Sequence, residues 1–178
     1  MKMRDYNGNL IDPLNPKGIT IEGIARTLSR IPRFGGHSYH VLSVARHSIN
    51  VSDGTRAKAK QRRKADHPIA ALYGLMHDAH EAYIGDIPTP VVTELAIVPE
   101  IGGAKFWLDD QIFTALVPEA ARERFPGLHK HVKAADIAAL REEMGWLWSE
   151  DIAYTHSAKD DEATFLSYYH RLIREIGA

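Results

Sequence analysis

Apolar residues recur at helical spacing along most of the chain, in stretches separated by clusters of Gly and Pro. The opening segment, Asn7 to Gly18, holds Gly8, Pro13, Pro16 and Gly18 and reads as an extended lead-in occupying residues 1–18. From Thr20 to Ser29, Ile21, Ile24, Ala25 and Leu28 define one face of a short helix that Thr20 can cap. Ile31 to Gly36, with a proline and two glycines, is a loop or tight turn. An apolar pattern resumes from Tyr39 to Val51, where Val41, Val44, Ala45, Ser48 and Ile49 share a face. After a basic stretch, a strongly apolar helix begins at Asp66, with Asp66 as cap and Pro68 in its first turn, and carries IAALYGLMHDAHEAY. Further helical patterns occupy roughly 99–116, 129–148 and 159–176. No alternating strand pattern of useful length is present, and there is no internal repeat. The expected architecture is therefore an all-α, compact helical bundle, built as a single domain over residues 1–178.

Charge sharpens this picture. The chain has 22 Lys and Arg against 23 Asp and Glu, a net charge of −1, which argues against a stable nucleic-acid partner because such proteins carry a large basic excess. The exception is local: RAKAKQRRK, between Asp53 and Lys64, has no acid within it, and reads as a solvated basic loop or helix end, or as a contact for polyphosphate or nucleic acid. There is no cysteine, so any metal must rest on nitrogen and oxygen ligands. Met1 to Leu10 has no apolar core of a secretory signal and no run reaches membrane-spanning length, so the expectation is a cytoplasmic protein with no membrane partner. Trp107, Trp146, Trp148, Tyr168 and Tyr169 fall at core-like spacing and are expected to serve packing or subunit contact.

Three apolar stretches contain polar groups that burial would penalise. They are His47 in SVARHSINV, His77 and Asp78 in LYGLMHDAHEAY, and Asp136 in VKAADIAALREE. One divalent cation solves the problem for all four, since two neutral imidazoles and two carboxylates balance its charge and leave positions open. Glu81 follows His77 by four residues and Asp78 by three, which on a continuous helix places it on the ligand face, one turn along. From there a carboxylate can take a proton from, or orient, a water activated by the cation. The zinc-protease pattern HExxH is absent, as are the serine-hydrolase elbow and the phosphate-binding P-loop.

The ordered set His47, His77-Asp78 and Asp136 resembles the H...HD...D signature of HD-domain phosphohydrolases. The stretch HDAHEAYIGDIPTPV is similar to the subgroup containing bacterial 5′-deoxynucleotidases and related phage dATP triphosphohydrolases. The resemblance runs from about Asp12 to Glu143 and implies an HD-domain helical fold. It further implies that His47, His77, Asp78 and Asp136 bind one divalent metal ion (Co, Mn, Zn, Ni, Fe or Mg) and that Glu81 is catalytic. Arg33 and Phe34 match a family pair that holds the phosphate, with Phe34 standing where a Trp is common. Asp86, Ile87, Pro88 and Thr89 match a loop that contacts the nucleotide sugar. Val91 and Val92 stand where members often carry a Lys, so a phosphate contact from that position is missing. His37 and His40 are not assigned to the site.

The resemblance implies a small-molecule nucleotide substrate and, by analogy with small helical HD enzymes, a homo-oligomer. It leaves open whether a 5′-monophosphate loses phosphate or a deoxynucleoside triphosphate loses triphosphate. A signalling nucleotide is a further enzyme class, and a non-catalytic nucleotide-binding regulatory module is the alternative outside enzymes. An intact Glu81 beside the ligand set favours an enzyme.

Overall fold

A computed structural model describes residues 2–151 and 154–177; Met1, at the head of the expected lead-in, lies outside them. The architecture is helical, as expected, with one small addition. Inside the lead-in, β1 (Met3–Arg4) pairs antiparallel with β2 (Leu10–Ile11), Met3 opposite Ile11. The Asp5 carboxylate ties this ribbon's turn by accepting from the backbone of Asn7 and Asn9.

Helix α1 (Ile21–Leu28) starts where the sequence indicates, with the Thr20 hydroxyl accepting from Gly23 N. Helix α2 (Val44–Lys58) begins later than the apolar pattern, because Ser43 caps it by accepting from Arg46 N. Tyr39 and Val41 are left outside and exposed. The helix then continues into the basic run, whose first residues are its last turn, followed by a short 3-10 turn over Ala59–Gln61.

The apolar stretch after residue 65 is interrupted, contrary to the expectation of one helix. Helix α3 (Asp66–Met76) stops before the His-Asp pair, residues 77–80 form tight turns, and α4 (Glu81–Ile84) follows. Asp66 is also not a cap: its carboxylate is buried and held by Arg62, Arg63 and Arg124. The remaining elements are α5 (Thr89–Glu94), α6 (Val98–Leu116), α7 (Glu119–Arg122), α8 (His129–Trp146) and α9 (Ala158–Gly177). Helices α5 and α7 are too short to leave a periodic signature.

Helix α2 is central. It packs against α3 and α8, while α9 packs against α1, α2 and α3. Leu28, Val44, Ile69, Leu72, Leu75, Leu108, Ile112, Phe165 and Leu172 form the main core. The α2–α8 seam is a separate, thinner layer of Val51, Val132, Ala135 and Ala139, and these small side chains let the two backbones approach. The α2–α3 contact is closer still: a Cβ on Gly74 would meet Thr55 Oγ1 at 2.7 Å and the Val51 carbonyl at 2.9 Å. Tyr169 is buried as expected and donates to the Leu116 carbonyl, but Trp107 on α6 is 54% exposed and contributes nothing to the core. Among the described residues no helix is long and apolar enough to cross a membrane.

Candidate metal centre

Three elements that pack on one another deliver the polar groups. His47 comes from the first turn of α2, His77 and Asp78 from the turns after α3, and Asp136 from the middle of α8. His47 Nε2 lies 3.2 Å from Asp136 Oδ1 and 3.8 Å from Asp78 Oδ2. His77 Nε2 lies 3.1 Å from Asp78 Oδ2 and 4.0 Å from Asp136 Oδ1. One ligand atom each from His47, His77 and Asp78 falls within 4.8 Å of the others. The four residues expected to act together are thus brought together.

The tautomers of both imidazoles follow from their outer partners. His47 Nδ1–H donates to Glu143 Oε1 at 2.6 Å, and His77 Nδ1–H donates to the Gly74 carbonyl at 2.8 Å. Each Nε2 therefore presents a lone pair toward the carboxylates. Both Nε2 atoms are buried and neither is in hydrogen-bonding geometry with any partner. Inward-facing nitrogen lone pairs beside carboxylates, held from behind by acceptors, are the donor set of a divalent cation, so these residues fit one.

The electrostatics describe what the carboxylates experience. Burial pushes Asp78 up, but the charge of His77, 3.1 Å away, with His47 and His80 nearby, holds it well below the usual carboxylate range. Asp136 is likewise lowered, burial being overcome by His47 and His77. For His47 burial favours the neutral ring, yet Asp136 and Glu143 outweigh it and raise its pKa. Glu81 behaves oppositely: burial first, then the charges of Asp78 and Asp86, push it up to about 9. Asp86 is also raised, mainly by burial.

Glu81 reaches this position by a different route from the one its sequence spacing suggests. Ala79 N bonds to Met76 O, Glu81 N to Asp78 O and Tyr83 N to His80 O, a succession of i to i+3 bonds. At three residues per turn, Asp78 and Glu81 eclipse, and so do His77 and His80. Glu81 consequently lines up with Asp78, and one ligand atom each from Asp78, His80 and Glu81 lies within 4.8 Å of the others.

The phosphate-binding expectation is met in part. Arg33 is at the site, in a tight turn between α1 and α2, but its Nε donates to Glu143 Oε2 at 3.0 Å. Phe34 sits in the left-handed region at φ 57°, which turns its ring against Trp148, 5.2 Å between centroids. Asp86 lies near enough to Arg33 and Asp78 to feel both charges. Ile87 and Pro88 are half-buried in the lead into α5 and Thr89 is exposed at its first residue. Among the described residues no hydrogen bond or ion pair links these three to the cluster.

Two residues at the site carry no expectation from sequence. Glu143 is buried and joins His47 to Arg33 through its two oxygens. It follows Asp136 by seven residues, two helical turns on the same face, which is the signal that identifies it. Lys105 on α6 lowers Glu81 and Asp86 by its charge, and it supplies a cation near the site that the Val91-Val92 pair does not.

No protein-family model matches the chain. It is 40% identical over 80 residues to the uncharacterized protein YfdR of Escherichia coli K12, a match covering 45% of this chain and 39% of YfdR. It is 32% identical over 160 residues to the uncharacterized protein RCAP_rcc00048 of Rhodobacter capsulatus, covering 86% of this chain and 72% of that protein.

Proposed function

The chain belongs to the same family as RCAP_rcc00048, and for this member we propose a metal-dependent phosphohydrolase that cleaves a phosphate ester of a deoxynucleotide. The observation that carries the reading is the meeting of His47, His77, Asp78 and Asp136 from three separate elements, with both imidazole Nε2 atoms buried, inward and unpartnered. The resemblance of these residues, in this order, to HD-domain phosphohydrolases supports it independently. Those four would hold the ion, which when bound lowers the pKa of water and stabilises negative charge on a phosphoryl group.

The remaining roles fall to side chains around that set. Glu81 is the proton acceptor that orients the attacking water. Its high pKa in the metal-free protein has burial and two neighbouring carboxylates as its causes, and positive charge at the ligand set opposes the latter. Arg33 has its Nε anchored on Glu143, which leaves the terminal nitrogens of the guanidinium for phosphate oxygens. Lys105 adds a second cation. Asp86 is placed to accept from a sugar hydroxyl.

The test is a panel of deoxynucleoside monophosphates and triphosphates offered to protein that has been chelated and then reloaded with Mn, Co, Zn, Ni, Fe or Mg. Release of phosphate or of triphosphate identifies the bond cleaved. Glu81→Ala should lower turnover by about 100-fold or more while deoxynucleotide binding persists. Inactivity towards the whole panel with every metal would refute the reading.

A further inference from the structure

We propose a binding site for a chain of phosphates on the guanidiniums of Arg62, Arg63 and Arg124, which the buried carboxylate of Asp66 gathers at the end of α3 away from the metal centre. It stands apart from the reading of that centre and does not depend on it. Its core is the basic run of the sequence, joined in the fold by a second basic segment. Arg62 and Arg63 follow the 3-10 turn over Ala59–Gln61, and Arg124 lies in the turns after α7. Arg62 Nε donates to Asp66 Oδ2 at 3.3 Å, Arg63 Nε is 3.8 Å from the same oxygen, and Arg124 pairs with Oδ1.

The stronger observation is the imbalance of charge. One carboxylate against three guanidiniums leaves two positive charges in excess. Elsewhere an arginine that bridges two elements has a carboxylate of its own: Arg46 meets Asp161 and Arg56 meets Glu175. Among the described residues these three have no ion-pair partner besides Asp66. The acid and the arginines also differ in exposure. Asp66 is 2% exposed, whereas the side chains of Arg124, Arg62 and Arg63 are 27%, 38% and 81% exposed. The acid is thus spent on holding the guanidiniums in place. Because Arg62 and Arg63 turn Nε toward it, their terminal nitrogens are left for a ligand, in the planar fork that matches phosphate oxygens.

Lys58, the last residue of α2, and Lys130, in the first turn of α8, are exposed and widen the positive surface. Burial first, then the charges of Lys130, Arg62 and Lys58, lowers His131; burial, then Arg63 and Arg62, lowers Arg124. The charges acting on both groups are all positive. A single phosphate leaves much of this surplus unanswered, whereas a chain of phosphates brings several negative charges into a few ångströms. Cations ringed round one buried point, on a chain whose net charge is −1, suit a short, dense polyanion better than the extended backbone of a nucleic acid. The place is distinct from Arg33 and the metal centre. Asp66 opens α3 and His77 follows its last residue, so 11 residues of helix, about 16 Å, lie between them.

The test is calorimetric titration of chelated protein with inorganic triphosphate at low salt. One saturable site is expected, and it should weaken as salt is raised. Arg62→Gln combined with Arg63→Gln should lower the affinity by about 10-fold or more, while Arg33→Gln, at the metal centre, should leave it unchanged. If the arginine pair loses the far-ultraviolet circular dichroism of the wild type, Lys58→Gln with Lys130→Gln keeps the Asp66 pairs intact and should weaken binding about 3–10-fold. Titration with dATP separates the sources of the chain. Binding that the arginine pair abolishes shows that a nucleoside can stay attached, and absence of binding restricts the ligand to the free chain. No saturable binding of triphosphate by the wild type, unchanged affinity in a folded double variant, or a loss with Arg33→Gln equal to that of the arginine pair overturns the proposal. So does a thymidine oligonucleotide that binds more tightly than triphosphate through the same arginines, since the ligand is then a nucleic acid.

Discussion

Glu143 accepts twice and donates nothing, and both of its partners matter: the ring of His47 and the guanidinium of Arg33. Replacing it by Gln exchanges one acceptor oxygen for a donor that neither partner can use. Glu143→Gln should therefore weaken divalent-ion binding by about 10–100-fold, read by calorimetric titration of the chelated protein with Mn, and unchanged affinity would remove it from the site. Glu81 carries the other residue-scale prediction. Its proton leaves near the ordinary 4.5 in the unfolded chain and near 9 in the folded one. Between those values the folded state holds the extra proton, so raising the pH through this window erodes its contribution to stability, which is complete below 4.5. Denaturant melts of chelated protein should lose stability from pH 5 to 9, and Glu81→Gln should flatten that slope. At this scale the sequence was readable where a polar residue interrupts an apolar run, as with His47 and Asp136. Glu143 hides beside Glu142 in a polar stretch that resembles any solvated face, and Lys105 gives no local sign at all.

Elements were legible to the extent that apolar spacing defines them. Helix α1 and its cap, α6, α8 and α9 follow the periodicity closely. The interruption after Met76 does not, because apolar residues continue at spacings that a 3.6-residue helix and a run of three-residue turns accommodate equally well. What the pattern could not register is Gly74, whose missing side chain lets α2 and α3 touch through their backbones. Gly74→Ala puts a methyl group 2.9 Å from the Val51 carbonyl, an atom that cannot rotate away. The expected loss is about 1–3 kcal/mol in urea denaturation, with a matching loss of metal affinity, since Gly74 also supplies the carbonyl that orients His77. A neutral result would mean that the two helices can part without cost.

Over the whole molecule, the ligand set ties α2, the turns after α3 and α8 into one unit, whereas the α2–α8 seam by itself is a thin layer of small side chains. An ion held there should act as a staple. At a free concentration 100 times its Kd it adds about 2.7 kcal/mol, which in a domain of this size raises Tm by roughly 5–10 °C. Thermal melts with chelator and with Mn would measure the difference, and coincident curves would contradict the centre. The helical class was evident from the sequence, and so was the convergence of three stretches on one centre. The supporting contacts were not, because they join residues about a hundred positions apart, such as Arg33 with Glu143 and Ser43 with Asp161.

Asp136 differs from the other three side chains in one respect: it is 40% exposed, while His47 is wholly enclosed and His77 and Asp78 nearly so. That asymmetry gives the centre a threshold. A cation that binds there would meet Asp136 first, because that carboxylate is the one open to water. If the proposed ion is held there, the pace of its exchange would be set on α8, and the choice between metals deeper, at the imidazoles.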